Sequence, residues 1–179
     1  MNAIRPAFFF DRDGVVNRSP GEGYVLRWKD FHFSEGIFEA LAFLRSKQFA
    51  LVLVTSQQGV GKGLMTQGAL DDIHQRMQAE LQRHAAAFDA IYTCTCLAHD
   101  PRCTCRKPSP EMILHAAKEH QLDLARSWLV GDRDRDIQMA MNADVPNTIR
   151  IRDGHKLVVA ANHVLDGTEG LMPLLKELL

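Results

Sequence analysis

Short apolar runs that end abruptly on acids or hydroxyls alternate with helical patterns along this chain, and that alternation restricts its fold more than any other feature. The run AFFF (7–10) stops at Asp11, FALVLVTS (49–56) ends on Thr55 and Ser56, and SWLV (127–130) runs into Gly131-Asp132. AIYT (90–93) and TIRI (148–151) read as further strands. Between them, GIFEALAFLRSK puts Ile37, Leu41 and Leu44 on one helical face, and ALDDIHQRMQAELQRHAA repeats Ile73, Met77 and Leu81 at i+4. SPEMILHAAKEH reads as a helix capped by Ser109 with Pro110 at its first position; DIQMAMNA and the terminal GLMPLLKELL read as two more. Strands and helices in alternation predict an α/β fold built on a Rossmann-like, doubly wound parallel sheet. No internal repeat or linker divides the 179 residues, so one domain over 1–179 is expected.

In such sheets reactive groups gather at the carboxyl ends of the strands. Asp11 and Asp13 leave the first strand, Thr55 and Ser56 the second, and Asp132 a third, with Asp134 and Asp136 behind it. Converging carboxylates need a cation, and a hard ion such as Mg²⁺ pairs one or two of them with a substrate phosphate. Lys107 can neutralise a phosphate oxygen, and the Thr55-Ser56 hydroxyls can hold others.

Four thiols, Cys94, Cys96, Cys103 and Cys105, stand in one short loop (94–105), directly before Arg106-Lys107. No Cys-x-x-Cys redox pattern occurs, and a closed tetrahedral Zn²⁺ site suits four clustered thiolates better than disulfides do in a reducing compartment. His99 is a rival ligand; an ordinary surface histidine is its other reading. A closed shell makes such a zinc structural and lets it position Arg106 and Lys107. The opening MNAIRPAFFFDRDG has no long apolar run, so neither a signal peptide nor a membrane span is expected, and a cytoplasmic location is. A net charge of −1 gives no reason to expect a nucleic-acid or membrane partner.

These residues in this order resemble the haloacid dehalogenase (HAD) superfamily: FFFDRDGVVN its first motif, LVLVTS its second, Lys107 its third and LVGDRDRD its fourth. DRDGVVN, GYV, DFHF, LVTSQQGVGKG and CxC…CxCRKPSPEM are similar to the branch holding the heptose bisphosphate phosphatases and the histidinol-phosphate phosphatases. The resemblance implies a Mg²⁺-dependent phosphomonoester hydrolase acting on a small phosphorylated metabolite. The heptose bisphosphate is favoured, histidinol phosphate or another sugar phosphate being the alternative. It further implies Asp11 as nucleophile, Asp13 as general acid–base, and Mg²⁺ on Asp11, the Asp13 carbonyl and Asp132. Asp136 is either an outer metal residue or a helix N-terminal acid. Lys107, Thr55, Ser56 and Arg106 would hold substrate. Relatives carry Cys-x-His where this chain has Cys94-x-Cys96, which favours a Cys₄ zinc site.

Departures are Ser56 in place of Asn, Arg133 in place of Lys, and NADVPN (142–147) in place of an Ala-Gly turn. Asp134 and Arg135 read as a solvated face. Tyr24, Trp28 and Phe31 line a pocket or pack in the core. Only about twenty residues separate Asp13 from the following helix, so no large cap domain is expected, which disfavours a phosphotransferase. A non-catalytic phosphate binder is disfavoured because Asp11, Asp13, Lys107 and Asp132 are all present. SQQGVGKGLM lacks the glycine and hydroxyl of a P-loop, and its Lys62 reads as solvated. The chain is expected to work as a monomer.

Overall fold

The computed structural model describes residues 4–179; residues 1–3 of the expected domain lie outside the described residues. In chain order the elements are β1 (Ala7–Phe10), α1 (Ile37–Ser46), β2 (Ala50–Ser56), α2 (Gln58–Gly61), α3 (Gln67–Arg83), β3 (Ala90–Cys94) and α4 (Glu111–His120). Then follow β4 (Trp128–Gly131), α5 (Asp134–Asn142), β5 (Asn147–Ile151), β6 (His163–Leu165) and α6 (Leu171–Leu178).

The strands pair in the order β3-β2-β1-β4-β5-β6, and every pairing is parallel. β1 is apolar at all four positions because both its faces are covered. Phe8 and Phe10 join Leu51 and Leu53 under α1, α3 and α6, whereas Ala7 and Phe9 join Val52 and Val54 under α4 and α5. The two-residue period of a strand thus sends alternate side chains into two cores, one on each side of the sheet. The chain runs outward from β1 through β2 to β3, then returns to β4 on the other flank of β1. That reversal opens a crevice at the carboxyl ends of β1 and β4.

The helices start and stop for local reasons. Thr66 caps α3, its hydroxyl accepting from Ala69 N–H. α4 begins at Glu111, one residue later than expected; Ser109 Oγ still accepts the Glu111 N–H. In NADVPN, Asp144 adopts the left-handed conformation (φ 57°) just past α5, and Val145 N–H returns to the Ala140 carbonyl. Asp144 therefore does the work glycine usually does at a helix end. Sequence periodicity missed α2 and β6, which span four and three residues and are too short to show a period. β6 is held by a side-chain device, with Asn162 Oδ1 accepting from both the N–H and the hydroxyl of Thr148.

Between β1 and α1 the chain makes one 3-10 turn (Trp28–Asp30) and isolated bridges at Asn17, with no separate folding unit over the crevice. Phe31 is buried in the core and Trp28 packs against that core, so core packing is the correct reading for both. Among the described residues no helix is long and apolar enough to cross a membrane.

Candidate active site

The carboxyl ends of β1 and β4 bring Asp11, Asp132 and Asp136 together, all three buried, with one oxygen of each within 4.8 Å of the others. Asp11 N–H donates to the Val130 carbonyl, which locks the end of β1 to β4. Lys107 arrives from the far side of the fold and donates to Asp11 Oδ1 and Asp136 Oδ1, both at 2.7 Å. Lys107 thus pairs two of the three acids, the third, Asp132, has Arg133 Nε 3.6 Å from Oδ2, and Asp132 Oδ1 is buried with no partner. An orphaned buried oxygen in a net-negative cluster is the donor set a divalent cation satisfies.

Two glycines make the close packing possible. A Cβ on Gly14 would lie 2.2 Å from Asp132 Oδ2, and Gly14 has a φ of +88°. A Cβ on Gly131 would lie 2.3 Å from the Asp136 Cβ.

Burial raises the pKa of Asp11, with Lys107 opposing and Asp136 adding to it. Burial also drives Asp132 up, to about 9, reinforced by Asp11 and Asp136. Asp136 goes the other way: burial opposes ionisation, but the Lys107 ammonium outweighs it. Lys107 is held charged against its own burial by Asp11 and Asp136. Of the two readings of Asp136, the helix N-terminal acid is the one these contacts describe. Its Oδ2 accepts the Arg133 N–H as the helical acid of α5, and its Oδ1 holds Lys107.

Asp13 is not one of these three acids. It receives Arg12, Asn17 Nδ2 at 2.9 Å and Gln57 Nε2 at 2.8 Å. Burial pushes its pKa up, but these donors, Arg12 foremost, bring it below the ordinary value. Gln57 also donates to Thr55 Oγ1 at 2.9 Å, so one amide joins the ends of β1 and β2. Ser56 Oγ is buried without a partner.

Arg12, Asn17, Gln57 and His74 were not singled out from the sequence. Arg12 and Asn17 lie inside DRDGVVN and Gln57 inside TSQ, so the signal was present there; His74 falls on the apolar face that Ile73, Met77 and Leu81 mark on α3, but nothing in the sequence names Arg12 as its partner. His74 is neutral because burial first, and Arg12 second, lower its pKa from 6.5 to about 4. A histidine neutral when folded and charged when unfolded removes stability as pH falls from about 6.5 to about 4. His74→Gln should therefore flatten the pH dependence of unfolding free energy across that window by up to about one proton, or about 1.4 kcal/mol per pH unit. Urea unfolding of both proteins from pH 4 to 7 measures this; equal slopes would refute a buried neutral His74.

One expectation is corrected in part. Asp134 is only partly solvated: its carboxylate also takes Arg150 Nη1 at 2.8 Å and the N–H groups of Val158 and Val159, giving buried Arg150 a counter-charge. Arg135 is exposed as expected. Arg133 Nε lies 2.6 Å from Asp153 and 3.6 Å from Asp132, linking the loop after β5 to the acid cluster. Lys62 is exposed as expected, with its ammonium 5.3 Å from the centre of the Tyr24 ring.

The four cysteine sulfurs also lie within 4.8 Å of one another. Cys94 and Cys105 are in disulfide contact, leaving Cys96 and Cys103 as free thiols in that pairing. The other close separations are 3.6 Å (Cys94–Cys103), 3.7 Å (Cys96–Cys105) and 3.8 Å (Cys103–Cys105). His99, the rival ligand, is exposed and outside the cluster. Cys94 pairs with Ser56 in the sheet, and the Gln57 N–H donates to the Cys94 carbonyl at 2.7 Å, stitching the thiol loop to the end of β2. Arg106 is half-buried beside this loop, its Nη1 near the Cys96 carbonyl.

The HAD-hydrolase-like family model matches residues 104–163. A Helicobacter pylori protein named D-glycero-beta-D-manno-heptose-1,7-bisphosphate 7-phosphatase is 40% identical over 80% of this chain and 82% of its own. The Yersinia pestis protein of the same name is 35% identical over 98% of each chain. The crystal structure of D,D-heptose 1,7-bisphosphate phosphatase from B. bronchiseptica, complexed with magnesium and phosphate, superposes with a TM-score of 0.86. It is 30% identical and covers 96% of this chain and 99% of that one. Fold, acid cluster and relatives agree: the chain belongs to the HAD-like hydrolases and is a phosphatase of the same family as the D-glycero-beta-D-manno-heptose-1,7-bisphosphate 7-phosphatases.

Proposed function

We propose that this phosphatase removes the 7-phosphate of D-glycero-D-manno-heptose 1,7-bisphosphate through an aspartyl-phosphate on Asp11. The observation that carries the reading is the buried Asp11–Lys107–Asp136 bridge beside Asp132, whose Oδ1 is buried without a partner, in a chain whose relatives bear that substrate's name.

In the first step Asp11 attacks phosphorus, the ester P–O bond breaks, and Asp13, which must enter the cycle protonated against the pull of Arg12, gives its proton to the leaving oxygen. In the second, water attacks the phosphorus of the aspartyl-phosphate and Asp13 takes its proton. The acyl-phosphate bond breaks, and inorganic phosphate leaves with Asp11 restored. Lys107 fixes one Asp11 oxygen and leaves the other free to react. Thr55 and Ser56 bind phosphate oxygens, and Arg106 reaches the rest of the substrate. Mg²⁺ would be held by Asp11, Asp132 and the Asp13 carbonyl, with Asp136 behind them, and would supply charge stabilisation to the transferring phosphoryl group.

Zn²⁺ would be held by Cys94, Cys96, Cys103 and Cys105 as a structural ion. Zn–S bonds of about 2.3 Å place tetrahedral sulfurs about 3.8 Å apart, close to the three separations found here. A zinc site needs reduced thiolates, which supports a cytoplasmic location. The reading is of a single catalytic domain (1–179) that acts as a monomer on a small sugar phosphate.

The test is a side-by-side comparison of kcat/KM on heptose 1,7-bisphosphate, histidinol phosphate and a panel of sugar monophosphates. The heptose bisphosphate should lead by at least about tenfold, an advantage of about 1.4 kcal/mol in transition-state binding. It should release one phosphate per molecule and leave the anomeric phosphate in place. A lead for histidinol phosphate would replace the substrate assignment and leave the reaction class standing.

A further inference from the structure

Arg12 is among the most buried side chains of the protein, fully shielded although arginine is mostly an exposed residue. Its guanidinium is engaged on three sides. Nη2 lies 3.1 Å from both Asp13 oxygens and Nε 3.4 Å from Oδ1, a forked contact with the carboxylate. Nη1 points the other way and lies 3.2 Å from His74 Nε2, on α3 and sixty-two positions along the chain. The carbon of the guanidinium lies 6.0 Å from the centre of the Phe31 ring.

A buried guanidinium leaves no donor unpaired without a penalty, and Asp13 can satisfy only one end of the fork. The other end needs an acceptor. Neutral His74 supplies one at Nε2, which requires its ring proton to be on Nδ1. Because the guanidinium is planar and rigid, fixing Nη1 at His74 fixes the plane in which the other nitrogens meet the carboxylate. Asn17 and Gln57 each bond one Asp13 oxygen, but only the Arg12 fork touches both.

We infer that His74 is a positioning residue: through Arg12 it sets the orientation in which the Asp13 carboxyl exchanges a proton with the ester oxygen. This rests on the reading of Asp13 as the acid–base group. A role confined to stability would affect every substrate alike. Orientation of an acid matters only where the leaving group needs its proton. An alkyl phosphate expels a strongly basic alkoxide and needs it, whereas p-nitrophenyl phosphate expels a weakly basic phenolate and does not.

The experiment measures kcat/KM, which reports steps through phosphorylation of the enzyme, for a sugar phosphate and for p-nitrophenyl phosphate. The proteins are wild type, His74→Leu, His74→Gln and Asp13→Asn, with thermal melting as the check on folding. His74→Leu should lose about tenfold on the sugar phosphate, a fraction of the whole acid–base contribution, and less than about twofold on p-nitrophenyl phosphate. His74→Gln, whose amide oxygen can accept from Arg12, should restore most of the loss. Arg12→Lys, which keeps the charge but not the fork, should reproduce the selective loss and serves if His74→Leu does not fold. Equal losses on both substrates, or a Gln variant as impaired as Leu, would overturn the inference. If Asp13→Asn itself shows no leaving-group dependence, the acid–base reading fails, and that result is distinct from failure of the His74 variants alone.

Discussion

Asp11→Asn is expected to lower kcat by at least about 10⁴-fold, because losing a covalent nucleophile removes the reaction path and not one contact among several. The protein should nevertheless fold. Burial and the neighbouring acids disfavour the charge on Asp11, so a neutral amide relieves repulsion toward Asp132 and Asp136. Lys107 keeps its 2.7 Å partner Asp136 and stays placed. The magnesium-free melting temperature of Asp11→Asn should therefore equal or exceed that of the wild type. Turnover is read as release of inorganic phosphate from both a sugar phosphate and p-nitrophenyl phosphate, because a lost nucleophile spares neither. Retention of full turnover would exclude Asp11 as nucleophile. A lost fold would show that the Lys107 bridge to Asp11 is structural first.

Purified protein is expected to contain about one zinc per chain, as a closed four-thiolate site requires. Cys103→Ser should lose that zinc and with it at least about a hundredfold of kcat/KM, the scale on which supporting shells of a site act. The thiol loop has little apolar surface of its own, so metal binding stands in for a core. Its order also passes directly to the catalytic groups. Cys105 is two residues from Lys107, and Cys94 is bonded through its carbonyl to Gln57, which holds Asp13. Elemental analysis gives the stoichiometry, and thiol titration in denaturant separates the two pairings of these sulfurs. Four titratable thiols with one zinc support the site. No zinc, with only Cys96 and Cys103 titrating, would establish the Cys94–Cys105 disulfide in its place.

Strands β1 to β5, the order of the acids and the thiol cluster were legible because each is a local pattern. AFFF is apolar at every position since both faces of β1 are covered, and the acids follow at once because the strand ends there. Asp134 was partly misread for the opposite reason. Its partner Arg150 is sixteen positions away and buried by another strand, so no local pattern marks the pair. His74 is the stronger case: Leu70, Ile73, Met77 and Leu81 put it on the buried face of α3, but nothing near it in sequence says which distant donor it meets.

The sequence by itself determined the α/β alternation, the four motifs in order and the proximity of Cys105 to Lys107, since these depend on neighbours a few residues apart. Only the tertiary structure decided that Asp136 both caps α5 and holds Lys107, that His99 stands outside the thiol cluster, and that Asp13 is gripped by Arg12, Asn17 and Gln57. The reason is physical. Strand and helix periods are written into adjacent side chains. The partner of a buried charge is chosen by whichever distant element packing brings within about 3 Å, where an unpaired charge would be too costly to leave.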